Sequence, residues 1–206
     1  MSSAVQHLAK TDPTLRAVIS AVGALPVLPP SHGVFHDLVS CLADHQVPQR
    51  SRHGVYLKKI VRLLDGALPD PHNVLGIDEA DWNRAKLANR KYHYLRGLAE
   101  RWIADAYDNL DWPDLSETTV RELLSDIKGI GPNAVDMVLL YTLQRPDIFP
   151  PHDSQVRQIM EQLYELDPKP PKVFTEKIHT LSAAWAPHRS TAVRYLIAYR
   201  HLLRKK

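Results

Sequence analysis

One cysteine, Cys41, occurs in the 206 residues. That excludes a disulfide framework, and equally a zinc or iron–sulfur site ligated by several cysteines of this chain. Within "FHDLVSCLADH" the residue reads as a small buried hydrophobe. Glycine is scarce as well, with 8 in the whole chain, so any two close together call for a reason. No apolar run approaches the roughly 18 residues of a membrane span. The opening "MSSAVQHLAKTDPTL" has no signal-peptide core. A soluble, intracellular protein is therefore expected. Runs of alternating β-branched residues are missing too, which argues against sheet. A strong excess of charge of either sign is missing: 26 Lys and Arg against 23 Asp and Glu leave a net value of +3, which permits a nucleic-acid partner without requiring one.

What is present is helical periodicity. Val34, Phe35, Leu38, Val39 and Leu42 share a stripe over 34 to 42. Tyr92, Leu95, Leu98, Ala99, Trp102, Ile103 and Ala106 do so over 89 to 107, with Asn89 as an N-cap. Ser116 caps a helix over 116 to 127 with Val120, Leu123, Leu124 and Ile127 on its apolar face. The pattern breaks at Gly129 and Gly131 and resumes over 132 to 143. Further helices are expected near 153 to 165, 171 to 184 and 188 to 204. The prolines of "ALPVLPPSH" (24 to 32) and "DPKPPK" (167 to 172) mark linkers. The length fits one domain or two lobes, and the fold is read as all-α with some ten helices.

The two glycines join the helices 116–127 and 132–143 by a very tight turn. Glycine suits positive φ or close backbone approach. Pro132 suits the first helical turn, where its missing N–H is not needed. Ile130 would anchor the turn between the helices. The amides at such a helix start, with the helix dipole, can take an anion such as a DNA phosphate. A glycine turn without any ligand is the plainer alternative.

The segment "LLSDIKGIGPNAVDMVLL" resembles the helix–hairpin–helix of the DNA glycosylase superfamily. In that family an aspartate follows about twenty residues later, and Asp153 in "DIFPPHDSQVRQIM" falls there. "FHDLVSCLADHQVPQRS" is similar to the segment carrying the wedge that enters DNA. "NRKYHYLRGLAERW" resembles the family's Arg-Lys-x-x-Tyr-Leu helix. "WAPHRSTAVRYLIAY" resembles the C-terminal helix of the bacterial 3-methyladenine DNA glycosylase II branch. Together they cover about residues 33 to 200. Lys128 and Val135 depart from the usual proline and alanine. Asn133 stands where strand-cutting members carry a nucleophilic lysine, so no lyase activity is expected.

The resemblance implies two helical lobes with a cleft: 33–143 with the hairpin at about 116–143, and 1–32 with 144–206 carrying Asp153. It implies a monofunctional DNA glycosylase that hydrolyses the N-glycosidic bond of a flipped damaged base, an alkylated purine such as 3-methyladenine, in base excision repair. Asp153 is the candidate catalytic carboxylate, and it also reads as an N-cap. Lys128, Gly129, Ile130 and Gly131 would grip the DNA phosphate, and Gln46 and Val47 would form the wedge. Asn133, Met137, His152, Trp185 and Ile197 would line the base pocket, although Met137 and Ile197 also fit helix-core spacing and His152 also reads as a solvent-facing loop residue. Lys58, Lys59, Arg50, Arg52, Arg157 and Arg189 are further basic candidates for the DNA backbone. No metal or cofactor is expected for the chemistry, with a monovalent cation at the hairpin as the one addition. The implied partner is double-stranded DNA bearing a damaged base, bound by a monomer, away from membranes, in the cytoplasm or on a bacterial nucleoid. A non-catalytic DNA-binding or damage-sensing protein is the alternative.

Overall fold

A computed structural model of the chain describes residues 2–45 and 54–204. The described residues form twelve α-helices and no strand. They are α1 (Ser3–Thr11), α2 (Pro13–Val22), α3 (Val34–Asp44), α4 (Val55–Leu63), α5 (Pro71–Leu75), α6 (Glu79–Arg84), α7 (Asn89–Ala104), α8 (Glu117–Ser125), α9 (Pro132–Met137), α10 (Ser154–Leu163), α11 (Pro171–Ala183) and α12 (Arg189–Leu203). Short polar residues start many of them. Ser2, Asp12, Asp70, Asp78, Ser116 and Asp153 each accept a backbone N–H of the first turn, which satisfies donors that a helix start leaves unpaired. Asn89 is the first helical residue rather than the cap. Ala88 occupies the cap position and offers no side-chain bond. Ile103 is not core either; it is exposed at the C-terminal end of α7.

The chain divides into two compact units: Met1–Val27 with Gln144–Lys206, and Leu28–Leu143. In the first, α2 packs on α1 and α12, and α10 on α12. Its polar hub is Asp12, which caps α2 through Leu15 N–H. Oδ2 of the same residue accepts the Tyr164 hydroxyl at 2.7 Å and the Trp185 indole N–H at 2.8 Å. Burial, then the bond to Asp12 and its charge, push the Tyr164 phenol well above its ordinary pKa. Asp12→Ala removes the cap and leaves two largely buried donors unpaired. A loss of about 3 kcal/mol or more is expected in urea unfolding.

In the second unit α3 packs on α4, α7 and α9, and α7 on α5 and α6. The helix begun by α9 does not continue as α-helix. Residues Val138–Thr142 wind as a π-helix, closed by Leu143 N–H to Val138 O at 2.9 Å. The wider turn ends with the Thr142 hydroxyl donating to Asp37 Oδ2 at 2.7 Å, which ties the end of this helix to α3.

Candidate functional site

The hairpin lies wholly in the second unit. Gly129 has φ of +99°, and a Cβ there would stand 2.7 to 3.1 Å from three ring atoms of Tyr94. Both reasons for glycine therefore apply at this position. Tyr94, from the middle of α7, floors the turn. Arg90 one turn earlier fixes that ring, with its guanidinium over the face at 5.1 Å and Nε–H donating to the hydroxyl at 2.7 Å. Gly131 differs. Its φ is −95°, it caps α9, and a Cβ would meet nothing within 4 Å. No steric demand of the fold keeps it glycine. Ile130 is buried as the anchor, and its N–H bonds to Ile127 O at 3.0 Å. Lys128 is exposed beside it.

An ion pair braces the two helices of the hairpin. Arg121 on α8 donates to Asp136 on α9 at 2.8 Å and to Glu117 at 2.8 Å. Arg121 is partly exposed and Asp136 is buried. Arg121→Ala is expected to lower stability by about 1–2 kcal/mol, moderated by solvent, with a matching drop in urea midpoint.

A recess of about 510 Å³ opens beside the turn. Its lining includes Gly129, Gly131 and Asn133 from the hairpin, Arg90 and Lys91 from α7, and His45 from the end of α3. Lys91 donates to the C-terminal carbonyls of α3, Leu42 O at 2.9 Å and Ala43 O at 2.5 Å. Burial lowers its pKa, opposed by the charge of Asp44. Asn133 Oδ1 is buried and accepts no hydrogen bond. A buried acceptor without a donor is costly, and a ligand that donates would relieve it.

Asp153 belongs to the other unit and is buried. Its Oδ1 accepts Gln155 N–H at 3.0 Å and Val156 N–H at 2.8 Å at the start of α10. The segment leading to it is fastened by α12. Arg189 grips Asp147 with two bonds of 2.8 Å, Ile148 N–H donates to Ser190 Oγ at 2.9 Å, and Ser190 N–H donates to Pro146 O at 3.1 Å. Beyond it Ile148, Phe149, Pro150 and Pro151 are buried, and Asp153 N–H closes a turn on Pro150 O at 3.2 Å. The direction of the carboxylate is thus set by its neighbours on both sides. The Arg189 hydrogen bond holds the Asp147 pKa below its usual value, with burial opposing. A depressed carboxylate adds stability that is complete above its unfolded pKa of roughly 4 and disappears as pH falls through the lower native value. Acid titration should therefore loosen this segment below about pH 4, and Arg189→Ala should abolish that pH dependence, lowering stability at neutral pH with little further loss on acidification.

Several sequence expectations change. Trp185 has no exposed surface, and its N–H is held by Asp12, with Phe149 and Tyr164 as ring neighbours. It is core of the first unit rather than a pocket wall. Met137 and Ile197 are buried in the second and first unit respectively, and His152 is exposed next to Asp153. Arg157 is engaged within the protein: it donates to Pro151 O and Thr175 Oγ1 and covers the Phe174 ring. Arg189 is engaged by Asp147, and Lys59 by Ala85 O. Gln46, Val47, Arg50 and Arg52 lie outside the described residues. The floor made by Tyr94 and Arg90 is the feature that sequence reasoning missed. Its signal was available, since the two residues sit four apart on one helical face. Among the described residues no group of three or more His, Cys, Asp or Glu side chains could hold a metal ion, and no helix is long and apolar enough to cross a membrane.

Residues 46–183 match the family described as HhH-GPD superfamily base excision DNA repair protein. DNA-3-methyladenine glycosylase 1 of Schizosaccharomyces pombe is 25% identical over 202 residues, covering 95% of this chain and 86% of that protein. Solved structures share the fold. The S. pombe 3-methyladenine DNA glycosylase in complex with abasic DNA aligns with a TM-score of 0.80 at 24% identity, over 95% of each chain. A DNA-3-methyladenine glycosidase from Bacillus halodurans aligns with a TM-score of 0.78 at 24% identity, over 100% of this chain and 92% of that one.

Proposed function

The chain belongs to the HhH-GPD superfamily of base excision DNA repair proteins, and from that premise we propose a monofunctional DNA glycosylase that removes an alkylated purine such as 3-methyladenine. The observation that carries the reading is one chain holding both parts the reaction needs. One is a tight glycine turn with an unencumbered backbone at Gly131. The other is a carboxylate, Asp153, fixed by the amides of α10.

The chemistry follows from those parts. A base within a duplex is out of reach, so the nucleotide must leave the stack. Amides at the start of α9 hold a phosphate of the DNA strand, helped by the exposed Lys128. A monovalent cation between hairpin carbonyls and that phosphate would assist binding, not the chemical step. Breaking the base–sugar bond develops positive charge on the deoxyribose. Asp153 stabilises that charge and orients or deprotonates the attacking water. A ring-alkylated purine already carries positive charge and leaves readily, so one carboxylate suffices. Asn133 Oδ1 offers an acceptor to a base edge. Its amide nitrogen is no nucleophile, so no Schiff base forms and the strand stays intact. DNA is the partner, and the protein acts wherever DNA is held, as a monomer.

The test is a panel of duplexes carrying methylated adenine, hypoxanthine, uracil, 8-oxoguanine or mismatched adenine, assayed for free base and for abasic sites. Release from the alkylated duplex is expected, with strand breaks appearing after alkali alone and no covalent adduct trapped by borohydride. Binding without release from any duplex would leave a damage sensor in place of an enzyme. Scission without alkali would overturn the argument from Asn133.

A further inference from the structure

A second recess, on the α3–α4 side of the Leu28–Leu143 unit, has a different chemistry. Its volume is about 380 Å³, and its walls are His32, His36, Lys58 and Arg62 with Leu57, Val61 and Leu68. Among the described residues, four side chains that are or can become cationic thus face one small space, and none of the lining residues is acidic. The arrangement is built, not scattered. His36 is 5% exposed, and its Nδ1 stands 3.0 Å from Oδ1 of the fully buried Asp37. Oδ2 of Asp37 accepts the Ser31 hydroxyl at 2.8 Å and the Thr142 hydroxyl at 2.7 Å. The carboxylate accepts from Nδ1–H and so orients the imidazole, whose other ring nitrogen donates to a phosphate in the imidazolium form. The His32 ring stands edge-on to it, 4.9 Å between centroids. Lys58 and Arg62 lie one turn apart on α4 and are exposed.

Buried histidine oriented by a carboxylate, flanked by a lysine and an arginine, suits a phosphate group, to which arginine offers two parallel donors. Leu57, Val61 and Leu68 are out of place for a bare inorganic anion. They suit the apolar face of a sugar or base attached to it, and the volume lies within the range of small-ligand sites. We propose that this recess binds the phosphate of a nucleotide, at a site separate from the glycine turn. The nucleotide is either free or part of a DNA strand.

The experiment follows the imidazole ¹H–¹⁵N resonances of His32 and His36 while dAMP, inorganic phosphate, deoxyadenosine or a short undamaged duplex is added. dAMP should shift both imidazoles saturably, inorganic phosphate more weakly, and deoxyadenosine not at all. The double variant Lys58→Ala, Arg62→Ala changes two exposed residues and should keep the fold, while weakening dAMP binding by about tenfold or more. Unmoved imidazoles with dAMP, or equal affinity in the double variant, would overturn the site. The duplex separates the sources: a loss of duplex affinity in the double variant assigns the phosphate to a DNA strand, and unchanged duplex affinity with weakened dAMP assigns it to a free nucleotide.

Discussion

Asparagine in place of Asp153 is expected to abolish base release from alkylated DNA, by about 10²–10⁴-fold, while fold and DNA affinity stay as they are. The substitution separates the two roles of this residue. Its Oδ1 accepts the Gln155 and Val156 amides at the start of α10, and an asparagine oxygen caps a helix about as well as an aspartate oxygen. The cap therefore persists and the melting temperature should move little. What disappears is the negative charge that would face the deoxyribose as it becomes positive. Asp153→Ala is the complement: it loses both, and should add about 1 kcal/mol of destabilisation to the same loss of turnover. Single-turnover assays on methylated duplex, with anisotropy for binding, check the pair. Turnover in Asp153→Asn near that of the wild type would mean that Asp153 is a helix cap and no more.

Much of this site was legible in the sequence for local reasons. Ser116 and Asp153 announce helix starts because an N-cap acts within three residues of itself. Gly129, Ile130 and Gly131 announce a turn because so few glycines occur elsewhere. What stayed hidden acts at long range. The partner of Arg189 is Asp147, 42 positions away, and that of Trp185 is Asp12, 173 positions away. A side chain that looks free for DNA or for a base is already engaged, and spacing along the chain carries no trace of it. The π-turn at Val138–Thr142 is hidden for a similar reason. The apolar run reads as a continuing helix, and the tertiary bond from Thr142 to Asp37 accompanies its wider winding. The motif quoted around Arg189 and Ser190 gains a physical meaning from the same contacts: these two residues hang the segment that leads to Asp153.

The two glycines of the turn should part company under mutation. Gly129→Ala places a methyl 2.7 to 2.8 Å from ring atoms of Tyr94, at a φ of +99°. Side chains rarely adopt that φ, at about 1–3 kcal/mol, and the ring cannot yield easily while Arg90 holds its hydroxyl and its face. Overpacking adds about 1–3 kcal/mol more. A loss of roughly 2–5 kcal/mol is expected, and DNA binding should go with the hairpin. Gly131→Ala meets nothing within 4 Å and sits at an ordinary φ of −95°. Its stability should stay within about 0.5 kcal/mol of the wild type, or rise slightly, because alanine restricts the unfolded chain. Its duplex affinity should nevertheless fall by about tenfold, since the added methyl keeps a phosphate from the amides of α9. That combination, an unaltered fold with weakened binding, is what a glycine kept for a ligand must show. A Gly131→Ala protein that binds duplex DNA as tightly as the wild type would mean that the turn serves the two helices alone, and the phosphate grip would have to be sought elsewhere on the chain.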